Sequence, residues 1–225
     1  MGNMYDWVTK TWNPLAGECM HKCPYCYMNG MRRRWRNPKW LGVPRLDERA
    51  IRQRFKGGDV VFVQNASDLF AENVPDVCIG AVLGVTRKFP ETRFVWQSRS
   101  VCSMYEFRDM MNWQNDFVGT TIETNRDVGC LAGNVLWRAI HLRHFMYVNF
   151  TTFVTIEPIL KFDFERMMEL IKIANPSFVN IGADSKGGAG LEEPTKDEVL
   201  ELVGAIEGIG IEVRRKRNLE RILNQ

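Results

Sequence analysis

An α/β fold built on a parallel sheet is what this sequence predicts, on three observations. Short apolar runs alternate with longer stretches of helical periodicity along the chain. The runs are apolar at nearly every position, as in Asp59-Val60-Val61-Phe62-Val63-Gln64, which suits strands covered on both faces. Each run closes on polar turn formers, so the strand ends carry hydroxyls and carboxylates. The 225 residues, 45% hydrophobic and 25% charged, suffice for a single domain over 1–225 with a sizeable core.

The elements follow in order. Residues 7–12 read as the first strand, cut short by Asn13-Pro14 and Gly17. A cysteine-rich loop and a basic, aromatic segment come next, then a helix near 47–55 stopped at Gly57-Gly58. The second strand, 59–64, gives way to Asn65-Ala66-Ser67-Asp68, and Pro75 opens a helix over 77–88. The third strand, 92–97, closes on Ser98-Arg99-Ser100 before a helix near 104–111. The fourth, 117–122, closes on Glu123-Thr124-Asn125 before a helix over 131–142. The fifth, 150–156, closes on Glu157-Pro158, and 164–174 then carries amphipathic periodicity up to Asn175-Pro176. The sixth, 177–181, closes on Gly182-Ala183-Asp184, with a helix over 194–206 beyond it. A short strand at 209–213 and a helical turn at 219–223 end the pattern.

Composition narrows the class. No apolar run approaches the roughly 18–20 residues that span a bilayer, and residues 1–10 lack a signal-peptide core. A cytoplasmic protein with no membrane partner is expected. Six cysteines in 225 residues are too dilute for a disulfide scaffold. The net charge is only +3, but it is uneven. Arg32, Arg33, Arg34 and Arg36 surround Trp35, and Arg214-Arg215-Lys216-Arg217 makes a second basic group. Basic residues interleaved with aromatics suit a phosphate backbone and stacked bases. Arg32, Arg33, Arg34, Trp35 and Arg36 are therefore candidate nucleic-acid contacts, with a solvated charged face as the plainer alternative.

Three cysteines stand close together in Cys19-Met20-His21-Lys22-Cys23-Pro24-Tyr25-Cys26, spaced C-x3-C-x2-C. Thiolates this near on one loop can face one soft metal centre. A [4Fe–4S] cluster usually takes four cysteines, one per iron, so three would leave an iron open. Zinc would need a fourth ligand: His21 is poorly spaced to join, and Cys78, Cys102 and Cys130 are isolated in sequence. Unliganded thiols are the remaining alternative.

This spacing, with an aromatic residue just before the last cysteine, resembles the signature of the radical S-adenosyl-L-methionine (SAM) superfamily. The resemblance implies Cys19, Cys23 and Cys26 as ligands of a [4Fe–4S] cluster whose open iron binds SAM. It implies reductive cleavage of SAM to a 5′-deoxyadenosyl radical, which abstracts hydrogen from a substrate, with a flavodoxin or ferredoxin as reductant. It also implies a partial (β/α)6 TIM-like barrel of radical SAM type, with a core over about 7–184 and an extension over about 185–225. Thr11-Trp12-Asn13-Pro14, Ser67-Asp68-Leu69-Phe70 and Ile156-Glu157-Pro158 together resemble a narrower, phage-type radical SAM-like family of unknown function. That likeness would place the protein in a host cytoplasm. The chain departs from that family at Gly182-Ala183-Asp184-Ser185-Lys186, where the family carries Gly-Gly-Glu-Ser-Gly. It departs again at Trp96-Gln97-Ser98-Arg99, where the family carries Leu-Thr-Lys.

In α/β barrels the chemistry sits at the C-terminal ends of the strands, which here carry Ser67, Asp68, Arg99, Glu123, Glu157 and Asp184. Carried over by position, Tyr25 would lie against the adenine of SAM, or pack as a loop aromatic. Asn65, Ala66, Ser67 and Asp68 stand where the superfamily binds the SAM amino group, and they offer acceptors to an ammonium. Arg99 would fork onto the SAM carboxylate, or form a structural ion pair. Glu123 would accept from the ribose hydroxyls, or serve a helix N-terminus. Glu157 and Asp184 are left for the substrate or for proton handling. Cys102 would donate hydrogen to a product radical, as a cysteine does in the distantly similar spore photoproduct lyase, or be an inert small residue. Gly187-Gly188-Ala189-Gly190 reads as a loop lining the site, without the residues of a P-loop. The implied function is a radical SAM enzyme acting on a modified nucleobase in phage DNA. The alternatives are a radical SAM enzyme for a small molecule or peptide, and a non-enzymatic, metal-stapled nucleic-acid-binding module.

Overall fold

The computed structural model describes residues 4–35, 37–184 and 190–225, with the backbone alone for 32–35. The chain begins β1 (Lys10–Trp12), β2 (Leu15–Ala16), α1 (Tyr27–Trp35), β3 (Arg45–Leu46), β4 (Val60–Val63) and α2 (Asp76–Thr86). It continues β5 (Arg93–Gln97), α3 (Val101–Glu106), β6 (Phe117–Thr121), α4 (Val135–Tyr147) and β7 (Thr151–Ile156). It ends α5 (Phe164–Ala174), β8 (Phe178–Ile181), α6 (Lys196–Gly208), β9 (Glu212–Arg215) and α7 (Glu220–Leu223).

One seven-stranded sheet runs β1-β4-β5-β6-β7-β8-β9, and every neighbouring pair is parallel. Parallel neighbours require a crossover, and α2 through α6 supply most of them. The fold class is thus α/β as expected, with two refinements. The sheet has seven strands where six principal ones were expected, because β9, from the anticipated C-terminal extension, adds to β8. It is also open, with β1 and β9 as its two edges. Beside it, β2 and β3 form a short antiparallel pair that frames the cysteine loop.

Alternation along each strand sends side chains to opposite faces. Val61, Val63, Phe94, Trp96, Val154, Ile156, Val179 and Ile181 face the helices in the main core. Phe62, Val95, Phe153 and Phe178 point the other way and pack with Tyr5 and Val8 of the N-terminal segment. That segment buries its rings against the sheet: Tyr5 stacks on Trp7 at 5.0 Å, and Trp7 meets Phe178 edge-on at 5.8 Å. One layer further along the strands this face turns polar. The Tyr5 hydroxyl lies 2.6 Å from Thr155 Oγ1 and donates to Gln97 Oε1, while Gln97 Nε2 donates to Thr121 Oγ1 at 2.9 Å.

The helix expected near 47–55 is absent; a single tight turn at Ala50–Arg52 follows β3 instead. The stretch has no apolar stripe, and Asp47 satisfies the backbone N–H groups of Arg49 and Ala50 without a longer helix. By contrast α5 matches its periodicity end to end, burying Met167, Leu170, Ile171 and Ala174 and stopping at Asn175 with φ 44°. Helix α6 starts on a capping box in which Thr195 and Glu198 bond each other's backbone N–H.

Candidate active site

Because β1 and β4 to β9 are parallel, their C-terminal ends share one edge of the sheet. The loop of Cys19, Cys23 and Cys26, between β2 and α1, covers that edge at the β4–β6 side. It is pinned there by His21. The His21 ring is buried, 2% exposed, and its Nε2 lies 2.8 Å from Asp68 Oδ2. Asp68 sits just past β4 and is otherwise held by Ser98 Oγ (2.7 Å), the Arg99 N–H (2.8 Å) and the Phe70 N–H (3.0 Å). Burial pushes the Asp68 carboxyl up, but the His21 ring and these donors outweigh it and hold it below the usual range. Asp68 therefore knots the cysteine loop, the end of β4 and the end of β5. Its oxygens face these partners, where contact with an ammonium was expected. Among those neighbours, Ala66 N–H donates to Asn13 Oδ1 at 3.0 Å and Ser67 Oγ accepts from Gln64 at 2.7 Å. The Asn65 carbonyl accepts from the Tyr27 hydroxyl at 2.7 Å.

Tyr25, Arg99 and Glu123 converge. The Tyr25 hydroxyl donates to Glu123 Oε1, Arg99 Nη1 lies 2.6 Å from the same oxygen, and the Arg99 guanidinium stands 5.2 Å from the Tyr25 ring. Arg138 reaches in from α4 to Glu123 Oε2 at 3.2 Å and to the Thr121 carbonyl at 3.1 Å. Glu123 is 2% exposed. Burial raises its carboxyl, yet Arg99 and Arg138 pull it below the ordinary value, so it stands as a carboxylate between two guanidiniums. Burial and Glu123 push the Tyr25 hydroxyl up, keeping it a neutral donor. A cavity of about 350 Å³ opens beside Glu123, lined by Arg126, Cys130, Asn134 and Arg138.

The fourth thiol at this edge is one that sequence spacing left isolated. Cys130 Sγ lies 3.0 Å from Cys23 Sγ, 3.6 Å from the His21 carbonyl and 3.9 Å from Arg99 Nη1. All six cysteines are free thiols. Among the described residues, no three Cys, His, Asp or Glu side chains converge to hold one ion as they stand. A single ion needs its donors within about 2.3 Å of one point, whereas a [4Fe–4S] cluster seats each cysteine on a separate iron. The donor chemistry suits such a cluster: Cys19, Cys23 and Cys26 are unbridged, and His21 Nδ1 is a buried polar atom without a partner on the loop between two of them.

Across the mouth, Glu157 follows β7 in a cis peptide with Pro158. It pairs with Lys216 Nζ at 2.5 Å and accepts from Asn218 Nδ2 at 2.8 Å. The C-terminal basic group is thereby folded into the sheet: Lys216 meets Glu157, and Arg214 stacks on Phe178 at 3.6 Å while pairing with Glu212. A second cavity, of about 390 Å³, lies between Tyr5, Trp7, Asn180, Arg214 and Lys216. Asp184 is half-buried at the end of β8, with backbone bonds to Glu193 and Arg221. Cys102 is exposed in the first turn of α3. Arg36 lies outside the described residues, as do the side chains of Arg32, Arg33, Arg34 and Trp35 and all of Gly187-Gly188-Ala189.

Solved structures with a similar fold are forms of spore photoproduct lyase. A double mutant with bound AdoMet and dinucleoside spore photoproduct aligns at TM-score 0.57 and 14% identity, over 88% of this chain and 60% of that one. The lyase complexed with dinucleoside spore photoproduct aligns at TM-score 0.57 and 12% identity, over 90% of this chain and 74% of that one. The chain thus spans less than two thirds of the first of these proteins, and at such identities the likeness is one of fold. No curated protein matches the sequence. A family does match, over residues 3–188, and the chain belongs to it: the family described as "Protein of unknown function (DUF5131)".

Proposed function

We propose that this protein is a radical SAM enzyme. The observation that carries the proposal is the placement of the C-x3-C-x2-C loop at the C-terminal edge of a parallel sheet, tied by His21 to Asp68. The fold shared with a lyase solved with bound AdoMet supports it. Cys19, Cys23 and Cys26 would hold a [4Fe–4S] cluster. The cluster with SAM would supply reductive cleavage to a 5′-deoxyadenosyl radical, the hard chemistry that a cofactor brings.

The chain's own residues bind and orient. The carbonyls of Asn65 and Ala66, with Ser67, border the cysteine loop and would take the SAM ammonium. Arg99 would trade part of its hold on Glu123 for the SAM carboxylate, and Glu123 would accept from the ribose hydroxyls. Tyr25 would flank the adenine. Glu157, paired with Lys216, and Asp184 would contact the substrate from the ends of β7 and β8. Cys102 is too exposed to serve as the hydrogen donor unless a substrate reaches it, and the role passes to a thiol or phenol at the mouth.

The substrate we propose is a modified or damaged pyrimidine in DNA, handled in a reducing cytoplasm with a flavodoxin or ferredoxin as electron donor. The cavity walled by Trp7, Arg214 and Lys216, aromatic and cationic together, supports a nucleotide ligand. The test is anaerobic reconstitution with iron and sulfide, then dithionite and SAM. We expect 5′-deoxyadenosine from the wild type and none from Cys19→Ala, Cys23→Ala or Cys26→Ala. Mass spectrometry of duplex and single-stranded DNA should then find an altered base. 5′-Deoxyadenosine without any change in DNA would move the substrate to a small molecule or peptide. Its absence from a fully iron-loaded wild type would sink the enzyme assignment.

A further inference from the structure

We infer that the cavity between the N-terminal segment and the β8–β9 edge is a pyrimidine subsite, in which Asn180 Nδ2 donates to the 4-carbonyl of a thymine- or uracil-type base. The inference rests on the proposal that the substrate is a pyrimidine nucleotide, and it names the residue that reads the base. Three observations carry it. Asn180 lines the cavity of about 390 Å³, is 1% exposed, and its Nδ2 is a buried donor without a partner. The Trp7 indole Nε1 stands 3.4 Å from Asn180 Oδ1, and an indole N–H can only donate, so the NH2 end is the one left for a ligand. The walls are tied down: the Arg214 guanidinium lies 3.6 Å over Phe178 and 5.8 Å from the Trp7 ring while paired with Glu212, and Lys216 Nζ sits 5.0 Å from the Tyr5 ring.

Burying a donor without an acceptor is costly, so the missing acceptor is what the cavity's occupant has to bring. Register places Asn180 in a polar row that crosses the sheet, Thr121-Thr155-Asn180-Arg214 on β6 to β9. Thr121 accepts from Gln97, Thr155 is engaged by the Tyr5 hydroxyl at 2.6 Å and Arg214 by Glu212, which leaves Asn180 as the member of the row with a donor to spare. A thymine or uracil ring presents a carbonyl at position 4, where cytosine presents an amino donor that would oppose the Asn180 NH2. The aromatic and cationic walls suit the rest of a nucleotide. Trp7 offers an indole surface to the base, and Arg215, which borders the cavity without an ion pair among the described residues, offers a guanidinium to the phosphate. Lys216 lines the cavity and pairs with Glu157, so the subsite adjoins a residue proposed to contact the substrate.

The test titrates the full chain, reconstituted anaerobically, with thymidine 5′-monophosphate and 2′-deoxycytidine 5′-monophosphate by calorimetry. Wild type, Asn180→Ala and Asn180→Asp are compared after circular dichroism has checked their folding. The wild type should prefer the thymine nucleotide by about tenfold, which is what one well-placed hydrogen bond contributes. Asn180→Ala should lose the preference, and Asn180→Asp, which presents only acceptors, should favour cytosine. Should Asn180→Asp not fold, Asn180→Ala decides alone. Oligothymidylate binding more tightly than the monophosphate would place the ligand in DNA, and equal binding would make it a free nucleotide; both outcomes support the subsite. Equal affinity of the wild type for the two nucleotides, or an unchanged preference in Asn180→Ala, would overturn the reading by Asn180. A wild type that binds neither nucleotide nor oligothymidylate would overturn the subsite itself. Release of 5′-deoxyadenosine with dithionite and SAM, measured on the same samples, reports the radical SAM proposal separately, so either failure is seen without the other.

Discussion

Asp68 carries more of the site's geometry than any residue that would touch a cofactor. It takes bonds from His21, Ser98, Phe70 and Arg99 in a place 7% exposed. Asp68→Asn keeps one acceptor but turns an NH2 toward existing donors, and a buried mismatch of this kind costs about 2–3 kcal/mol. Chemical denaturation at pH 7 should show that loss. The pH dependence follows from the sign of the shift. The folded carboxyl is held below its ordinary value of about 4, so its stabilisation is present above that value and lost as pH falls through the lower folded one. The gap between wild type and Asp68→Asn should therefore be flat above about pH 5 and shrink below pH 4. A gap that widens in acid would contradict this account of Asp68. The cysteine trio and the strand-end acids could be read from sequence because motif spacing and turn chemistry are local. The partners His21–Asp68, Cys23–Cys130 and Glu157–Lys216 could not, since they lie 47, 107 and 59 residues apart and only the order of strands in the sheet brings them together.

Strands were easier to read than helices, for a physical reason. Buried parallel strands are apolar on both faces, so Val60–Val63 and Thr151–Ile156 stand out as runs, and their turn residues mark the ends. Helices declare themselves only when one face is solvated. Helix α5 has that stripe and was legible; the region around Ala50 sets Ala50 and Ile51 among Asp, Glu, Gln and Arg residues and folds as a single turn. The last strand, expected at 209–213, lies at Glu212–Arg215 instead, because Arg214 and Arg215 look like surface charge although Arg214 lies flat on Phe178. Strand β6 tests how tightly the sheet's inner face is packed. A Cβ on Gly119 would fall 2.4 Å from the Phe153 ring, which is itself stacked on Phe178. Gly119→Ala should lower stability by about 1–3 kcal/mol, the usual cost of overpacking, and thermal denaturation will register it. An unchanged melting temperature would mean that the aromatic layer yields more than the packing implies.

The molecule as a whole joins an N-terminal plug, an open parallel sheet and a functional edge. Tyr5 and Trp7 pack on one face of the sheet below the mouth, so the polar layer of Gln97, Thr121 and Thr155 rests on an apolar floor. Apolar surroundings strengthen charged pairs, here Glu123 with its two arginines and Glu157 with Lys216. Residues on seven strand ends are thereby held to one edge, and the cysteine loop is the feature they surround. The metal proposed for it is what the whole account turns on. The most direct measurement is the metal and acid-labile sulfide content of the anaerobically purified and reconstituted protein. About four iron and four sulfide per chain are expected, falling away when Cys19, Cys23 and Cys26 are replaced together. One tightly held zinc per chain, with no sulfide, would contradict it.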